Sequence, residues 1–181
     1  MIAFLLATLC IAYISRASLR SFRSSHGFYR FFAWETIILL FLMNVEYWFK
    51  NPLAWNQILA WILLFGSLIP LIAGVKSLTR HGNPTDQRQT EPELLAFEKT
   101  TTLVTTGIYR YIRHPLYSSL LLLTWGIFFK QPNWRGILLS LIATAFLIGT
   151  AKSDERECLR YFGDAYEDYK KQTMMFLPYL F

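Results

Sequence analysis

The sequence is poor in cysteine and in charge. Its 181 residues include two cysteines, Cys10 and Cys158, and only 17% are Asp, Glu, Lys or Arg. Two cysteines in different surroundings exclude a disulfide framework and offer no metal-ligand spacing. The charged fraction is too low for a disordered or fibrous chain, and the length allows one domain or at most two small ones. We expect a single domain over residues 1–181.

Motifs of several common enzyme classes are also missing. The sequence has no Gly-rich phosphate loop and no nucleophile elbow with a Ser-His-Asp order. Its three histidines, His26, His81 and His114, are too dispersed to indicate a metal site by spacing alone. Hydrolase and metalloenzyme functions therefore lose most of their support, and no metal is expected.

Apolar residues are abundant. They make up 54% of the chain, and the mean hydropathy of +0.29 is high for a water-soluble domain. This profile predicts a membrane protein. The net charge of +6 on so apolar a chain is more typical of cytoplasmic loops beside anionic lipid than of nucleic-acid binding. We expect membrane lipids as partners and no nucleic acid.

The apolar blocks predict an all-α polytopic fold with about five transmembrane helices. The predicted spans are residues 2–15, 31–49, 55–75, 116–129 and 136–152, the last two forming a helical hairpin. The first and fourth are shorter than the roughly 20 residues that cross the hydrocarbon. No Lys or Arg precedes the first apolar run, so we interpret it as a retained span and not a signal peptide. The fifth helix is expected to continue to Phe162, where Gly163 offers a stop.

Charge asymmetry predicts the orientation of these spans. When the loops alternate between the two sides, one side holds 15 Lys and Arg residues and the other holds 3. The positive-inside rule then places the N-terminus outside, with the loop 76–115 and a helical tail, residues 153–181, in the cytoplasm. Nearly all polar residues suited to chemistry lie in this loop and tail, so we expect the active site at the cytoplasmic face.

Two polar segments near the predicted membrane surface carry candidate binding residues. Pro115 suits the first turn of the fourth helix, whose free N–H groups favour an anionic group, and Arg113 and His114 flank it. Asp154 and Glu155 fall where the fifth helix leaves the bilayer, a depth at which a carboxylate needs a cation. A pocket between them would hold a zwitterion with an extra cation. The alternative is that these basic and aromatic residues only contact lipid headgroups, and that the acidic run faces water.

These residues resemble a known family of integral membrane enzymes, the isoprenylcysteine carboxyl methyltransferase and phospholipid methyltransferase group. The similarity covers roughly residues 101–178, a little under half of the chain. In order, the similar motifs are Gly107-Ile108-Tyr109, Arg113-His114-Pro115-Leu116-Tyr117, the pair Asp154-Glu155, and Phe162-Gly163-Asp164-Ala165-Tyr166 followed by Tyr169 and Pro178. The family's acidic pair is usually two glutamates, so Asp154 departs from it by one methylene.

The resemblance implies a methyltransferase that uses S-adenosyl-L-methionine, held at the cytoplasmic ends of the last helices. The residues on the family's cofactor-contacting positions are Thr101, Thr102, Leu103, Val104, Tyr109, His114, Pro115, Leu116, Tyr117 and the acidic pair Asp154 and Glu155. We expect a small or lipid-like acceptor that enters from the bilayer. A carboxylate acceptor needs no base, whereas an amine or thiol must lose a proton, and His114 and Glu155 are the nearest candidates for that catalytic role.

Two other functions remain open. Sterol-type membrane reductases, which use NAD(P)H, have a similar ending with a His-Pro turn and a terminal Pro-Tyr, here Pro178-Tyr179, but their chains have many more spans. A non-catalytic membrane scaffold would use the polar loop, residues 80–86, to dock a partner. The sequence leaves open the oligomeric state and whether residues 82–97 form a lid.

Overall fold

The computed structural model describes residues 8–9, 12–13, 26–83 and 100–177. Most of the predicted first span and most of the candidate lid, residues 82–97, lie outside these ranges. Within them the fold is all-α, as predicted, and a single β-bridge is the only extended pairing. The helices are α1 (His26–Asn44), α2 (Trp55–His81), α3 (Pro115–Lys130), α4 (Trp134–Phe162) and α5 (Asp164–Gln172), with 3₁₀ turns at Val45–Tyr47 and Gly107–Arg110.

Three segments in the described part of the chain are long and apolar enough to cross a membrane. They are Gly27–Tyr47, Trp55–His81 and Trp134–Phe162. The second and third extend beyond the predicted spans, which ended at residues 75 and 152. The polar ends of these helices therefore project past the apolar stretch. As predicted, α4 ends at Phe162, and Gly163 follows with a φ of 58°, in the region that favours glycine.

The helix α3 is shorter, at 16 residues or about 24 Å. It begins at Pro115, as predicted, and packs antiparallel to α2. At one end Gln57 Nε2 donates to the carbonyl of Lys130 at 2.9 Å, and at the other Gly74 lies against Pro115. The helix α3 thus runs beside α2 over most of the length of α2. That residues 116–129 cross the membrane stays a prediction, and the pairing of α3 with α2 supports it.

A second pair of helices, α1 and α4, lies beside the first. The rings of Phe32 and Phe146 stack with their centres 5.4 Å apart. Tyr29 approaches Gly149 so closely that a Cβ atom there would lie 2.8 Å from the ring. The two pairs share an apolar core of Ile37, Leu40, Ile127, Phe128 and Ala143.

One end of the bundle, the hairpin end, holds the turns 45–54 and 131–133. Lys130 is fully buried there. Its ammonium donates to the Trp48 carbonyl at 3.3 Å and to Gln57 Oε1 at 3.0 Å, and it lies 3.5 Å from the centre of a Trp61 ring. Because a buried ammonium is costly unless it is hydrogen-bonded, these contacts fix the start of α2 against the end of α3.

The opposite end, the site end, is covered by residues 173–177, which we call the strap. The backbone amides of Arg113 and His114 donate to strap carbonyls at 2.8 and 3.1 Å. The Ser118 hydroxyl, one turn into α3, donates to a third strap carbonyl at 2.8 Å. The strap therefore holds the segment that leads into α3, and with it the position of His114.

Candidate functional site

A cavity opens at the site end between α2, the segment 100–114, the start of α3, the end of α4, and α5. Its volume, counted to its open mouth, is about 770 Å³. The structure brings most of the predicted site residues to this cavity: Leu103, Val104, Tyr109, His114, Pro115, Leu116, Tyr117 and Asp154 all line it.

Three predicted residues are not part of the cavity wall: Thr101, Thr102 and Glu155. The amides of both threonines donate to the Gly82 carbonyl, at 3.0 and 3.3 Å, so they fasten this segment to the end of α2. Their neighbour Thr100 is buried and lines the cavity. The sequence predicted residues 101–104 and not Thr100, because the non-helical backbone of this segment has no regular period that would indicate which threonine faces inward.

His114 is the N-cap residue of α3 and is buried. Its ring stacks on Tyr117 with 5.4 Å between centres. Its Nδ1 lies 3.6 Å from Asp154 Oδ2, and its Nε2 lies 3.4 Å from Glu155 Oε1. Within the described part of the chain, Nε2 makes no hydrogen bond of acceptable geometry. The imidazole thus stands between two carboxylates with one nitrogen unsatisfied.

The protonation of His114 follows from these neighbours. Burial opposes the charged imidazolium, but the nearby carboxylates of Asp154 and Glu155 outweigh it and raise the pKa of His114 above its usual value. His114 therefore carries a positive charge over a wider pH range than an exposed histidine. That charge lies beside the N-terminal turn of α3, whose N–H groups also favour anions.

Asp154 faces the cavity from α4. The Tyr117 hydroxyl donates to its Oδ2 at 3.4 Å, and the Cys158 thiol donates to its Oδ1 at 3.7 Å. Its side chain is 24% exposed, against 5% for Glu155. Consecutive helical residues point about 100° apart. The acidic pair is therefore divided between two environments, and only Asp154 reaches the cavity.

Glu155 is the centre of a buried ion cluster. Its Oε1 accepts from Arg113 Nε at 2.8 Å, and its Oε2 is 2.7 Å from Lys170 Nζ. The Arg113 guanidinium also donates to the Thr173 carbonyl at the start of the strap. This cluster connects α4, the segment before α3, α5 and the strap. Glu155 thus supports His114 from behind the cavity wall.

Several residues of the wall were not among the predicted site residues. They include Glu157 and three members of the motifs that carry the resemblance, Phe162, Tyr166 and Tyr169. Burial raises the pKa of both tyrosines, so their phenols stay protonated, and the Tyr169 hydroxyl donates to the Tyr109 carbonyl at 2.7 Å. Glu157 could have been predicted from the sequence, because it follows Asp154 by three residues and therefore lies on the same face of the helix. No pattern in the neighbouring sequence predicts the contact between α5 and the segment before α3.

A second, apolar cavity lies on the other side of the strap residue Phe176. The Phe176 ring is 6.1 Å from the His114 ring and also lines this cavity, whose volume to its open mouth is about 750 Å³. Its other walls are side chains of α2, α3 and α4, chiefly leucines with Trp125 and Ile148. Phe176 thus separates the polar cavity from an apolar one.

The fold and the site define a class of protein: a helical membrane protein with a small-molecule cavity at one end. The wall of this cavity includes His114 and Pro115 at the start of α3 and acidic residues near the end of α4. The phospholipid methyltransferase family model matches residues 55–165, more than half of the chain. The chain belongs to this family, and the resemblance seen in the sequence is confirmed.

Individual relatives are similar over shorter stretches. The protein-S-isoprenylcysteine O-methyltransferase of Schizosaccharomyces pombe is 35% identical over 81 residues, 44% of this chain and 34% of that protein. Methanethiol S-methyltransferase 2 of Bradyrhizobium diazoefficiens is 31% identical over 74 residues, 41% of this chain and 28% of that protein. The chain thus spans about a third of the length of these curated relatives. No solved structure matches it significantly.

Proposed function

We propose that this protein is an integral membrane methyltransferase that uses S-adenosyl-L-methionine and acts on a small or lipid-like acceptor at the cytoplasmic face. The observation that carries the proposal is the charge arrangement of the polar cavity. On its wall the carboxylates Asp154 and Glu157 of α4 lie beside His114 at the start of α3, with Asp154 Oδ2 3.6 Å from His114 Nδ1. Such walls complement a ligand that carries both cationic and anionic groups.

The residues present fit this cofactor. When bound, S-adenosylmethionine supplies an electrophilic methyl group on a sulfonium centre. Asp154, held by Tyr117 and Cys158, would face its cationic groups. The positively charged His114 and the first turn of α3 would face its carboxylate.

The roles of the two candidate catalytic residues differ. A thiol or amine acceptor would need the neutral form of His114 as its base, whereas the charged form, which its raised pKa favours, would face the cofactor's carboxylate. Glu155 is bound by both Arg113 and Lys170, so it is poorly suited to accept a further proton. We assign Glu155 as a positioning residue that orients His114. This replaces the sequence-based hypothesis that Glu155 itself is catalytic.

The apolar cavity beyond Phe176 supports a lipophilic acceptor. It lies between α3 and α4, where an apolar chain in the bilayer would approach, and it is separated from His114 by one ring. Of the relatives' names, protein isoprenylcysteine points to a lipophilic acceptor, whereas methanethiol points to a small one. A carboxylate or thiol acceptor, small or lipid-like, agrees with both.

The test is a binding measurement followed by an acceptor search. The purified protein in detergent should bind S-adenosylmethionine and not NADPH. NADPH binding alone would favour the reductase alternative, to which the family model and the relatives give no support, and binding of neither would favour a scaffold. With methyl-labelled cofactor and native membranes, label should enter an organic-extractable small molecule or lipid. Label found only in soluble protein or nucleic acid contradicts the proposed acceptor.

A further inference from the structure

The end of α4 has two chemically different faces. Asp154, Glu157 and Cys158 face the polar cavity described above. The opposite side of the helix faces a separate cavity, which is lined by Lys152, Arg156 and Leu159. These residues are spaced four and three positions apart. This second site, here called the basic cavity, lies between α4, the start of α1, α5 and the strap, and its volume to its open mouth is about 890 Å³.

The charge on the wall of the basic cavity is positive. Three cations line it: Lys152, Arg156 and Lys170. Glu155 also lines it, but both of its oxygens are engaged, one by Arg113 and one by Lys170. Lys152 and Arg156 are exposed, and no ion pair involves either of them within the described ranges. Two positive charges therefore remain uncompensated at the opening.

The basic cavity also spans the boundary between apolar and polar surroundings. No charged residue lies between Arg135 and Lys152, so Lys152 marks the point at which α4 leaves its apolar stretch. On the apolar side of this point the walls are Tyr29 and Gly149, in close contact, and Met175 of the strap is also apolar. Apolar walls below a cationic opening fit an amphiphile with an anionic headgroup.

We propose that the basic cavity binds the headgroup phosphate of an anionic membrane phospholipid, with Lys152 and Arg156 as its principal ligands. The site is distinct from the polar cavity and does not depend on the proposed methyl transfer. The helix α4 lies between the two cavities and separates them.

Native mass spectrometry of the detergent-purified protein tests this site. The probes are palmitoyl-oleoyl phosphatidylglycerol and the phosphatidylcholine with the same acyl chains. The variant Lys152→Gln/Arg156→Gln removes both uncompensated charges. The matched control is Lys76→Gln/Arg80→Gln, which removes an exposed Lys and Arg at the same four-residue spacing from the end of α2, outside this cavity.

The wild type should prefer phosphatidylglycerol by roughly ten- to thirtyfold, since each nearby Lys or Arg contributes about a factor of five. The Lys152/Arg156 variant should lose this preference, and the control should keep it. No preference in the wild type, its retention in the Lys152/Arg156 variant, or equal loss in both variants would overturn the proposal.

Displacement of phosphatidylglycerol by 10 mM inorganic phosphate would show that the site takes a free anion, and would overturn the assignment to a lipid. If the double variant does not fold, each single substitution should lower the preference severalfold.

Discussion

At the scale of single residues, the division between Asp154 and Glu155 leads to separable effects. Asp154→Asn removes the negative charge that faces the polar cavity while keeping the shape of the side chain. Its single amide oxygen can still accept from one of the two present donors, Tyr117 or Cys158. We expect S-adenosylmethionine affinity to fall about tenfold or more, as for loss of a charge-assisted contact. The thermal midpoint should fall less than in Glu155→Gln, because Asp154 is the more exposed of the two carboxylates beside His114. Calorimetric titration and a melting curve measure the two quantities, and unchanged affinity in the folded variant contradicts the role of Asp154.

Glu155→Gln should act on stability first. The substitution leaves the buried guanidinium of Arg113 without its counter-charge. Removing one partner of a buried ion pair typically costs about 3–5 kcal/mol. We expect a clearly lowered thermal midpoint, partly restored in Glu155→Asp. The exposed pair Lys171 and Asp168 gives the control, since Asp168→Asn should leave the midpoint nearly unchanged. Equal midpoints for Glu155→Gln and Asp168→Asn would show that the cluster is not structural.

His114 predicts a pH dependence of stability. Its pKa is raised in the folded protein, so its stabilising contribution is fully present below about pH 6.5, the pKa of a free histidine, and is lost as the pH rises through the folded value. The thermal midpoint of the wild type should therefore exceed that of His114→Gln by more at pH 6 than at pH 9. A constant difference across this range would mean that Asp154 and Glu155 do not hold the imidazolium.

At the scale of secondary-structure elements, the contact between α2 and α3 depends on a glycine. A Cβ atom on Gly126 would lie 2.9 Å from the Leu64 side chain and 3.1 Å from its backbone nitrogen, whereas one on Gly66 would meet nothing within 4 Å. Gly126→Ala should therefore destabilise the protein by about 1–3 kcal/mol. Gly66→Ala, the matched control, should be neutral or stabilising by about 0.5–1 kcal/mol. Denaturation in mixed micelles compares them, and equal effects would contradict the observed packing.

Some elements followed directly from local sequence and others did not. The apolar runs predicted the helices, and Pro115 and Gly163 marked a start and a stop, because each of these signals acts through the backbone of a few neighbouring residues. Lys130, however, lies between the predicted spans 116–129 and 136–152 and so counts in the sequence as one of the three loop charges on the external side, whereas it is buried against Trp48, Gln57 and Trp61. Its partners are some 70 to 80 residues away in the chain, where no local pattern could indicate them.

The candidate site shows the same limit. The motif around His114 and the acidic residues predicted the parts of the polar cavity wall that α3 and α4 supply. The division of roles between Asp154 and Glu155 depends on Lys170 and on the strap, which reach the site through tertiary packing. The inward-facing threonine, Thr100, was missed for a related reason, since the direction of its side chain is set by a contact with the end of α2 at Gly82.

At the scale of the whole molecule, the prediction concerns the side of the membrane on which each terminus lies. The count of 15 Lys and Arg against 3, together with the antiparallel pairing of α2 and α3, favours a cytoplasmic C-terminus. A reporter fused after Phe181 should be cytoplasmic, and one fused before Met1 should be external. An external C-terminal reporter would show that the predicted five crossings are wrong, with residues 116–129 the first segment to re-examine.

The strap also has a consequence for biosynthesis. A polypeptide leaves the ribosome from its N-terminus, so α3 and His114 are made before the strap residues that receive the amides of Arg113 and His114. During insertion the nascent chain therefore carries an unfinished site, which closes only after translation has passed Thr173. A product that terminates earlier would keep the apolar helices that direct it to the membrane, yet it would lack the closing contacts at His114.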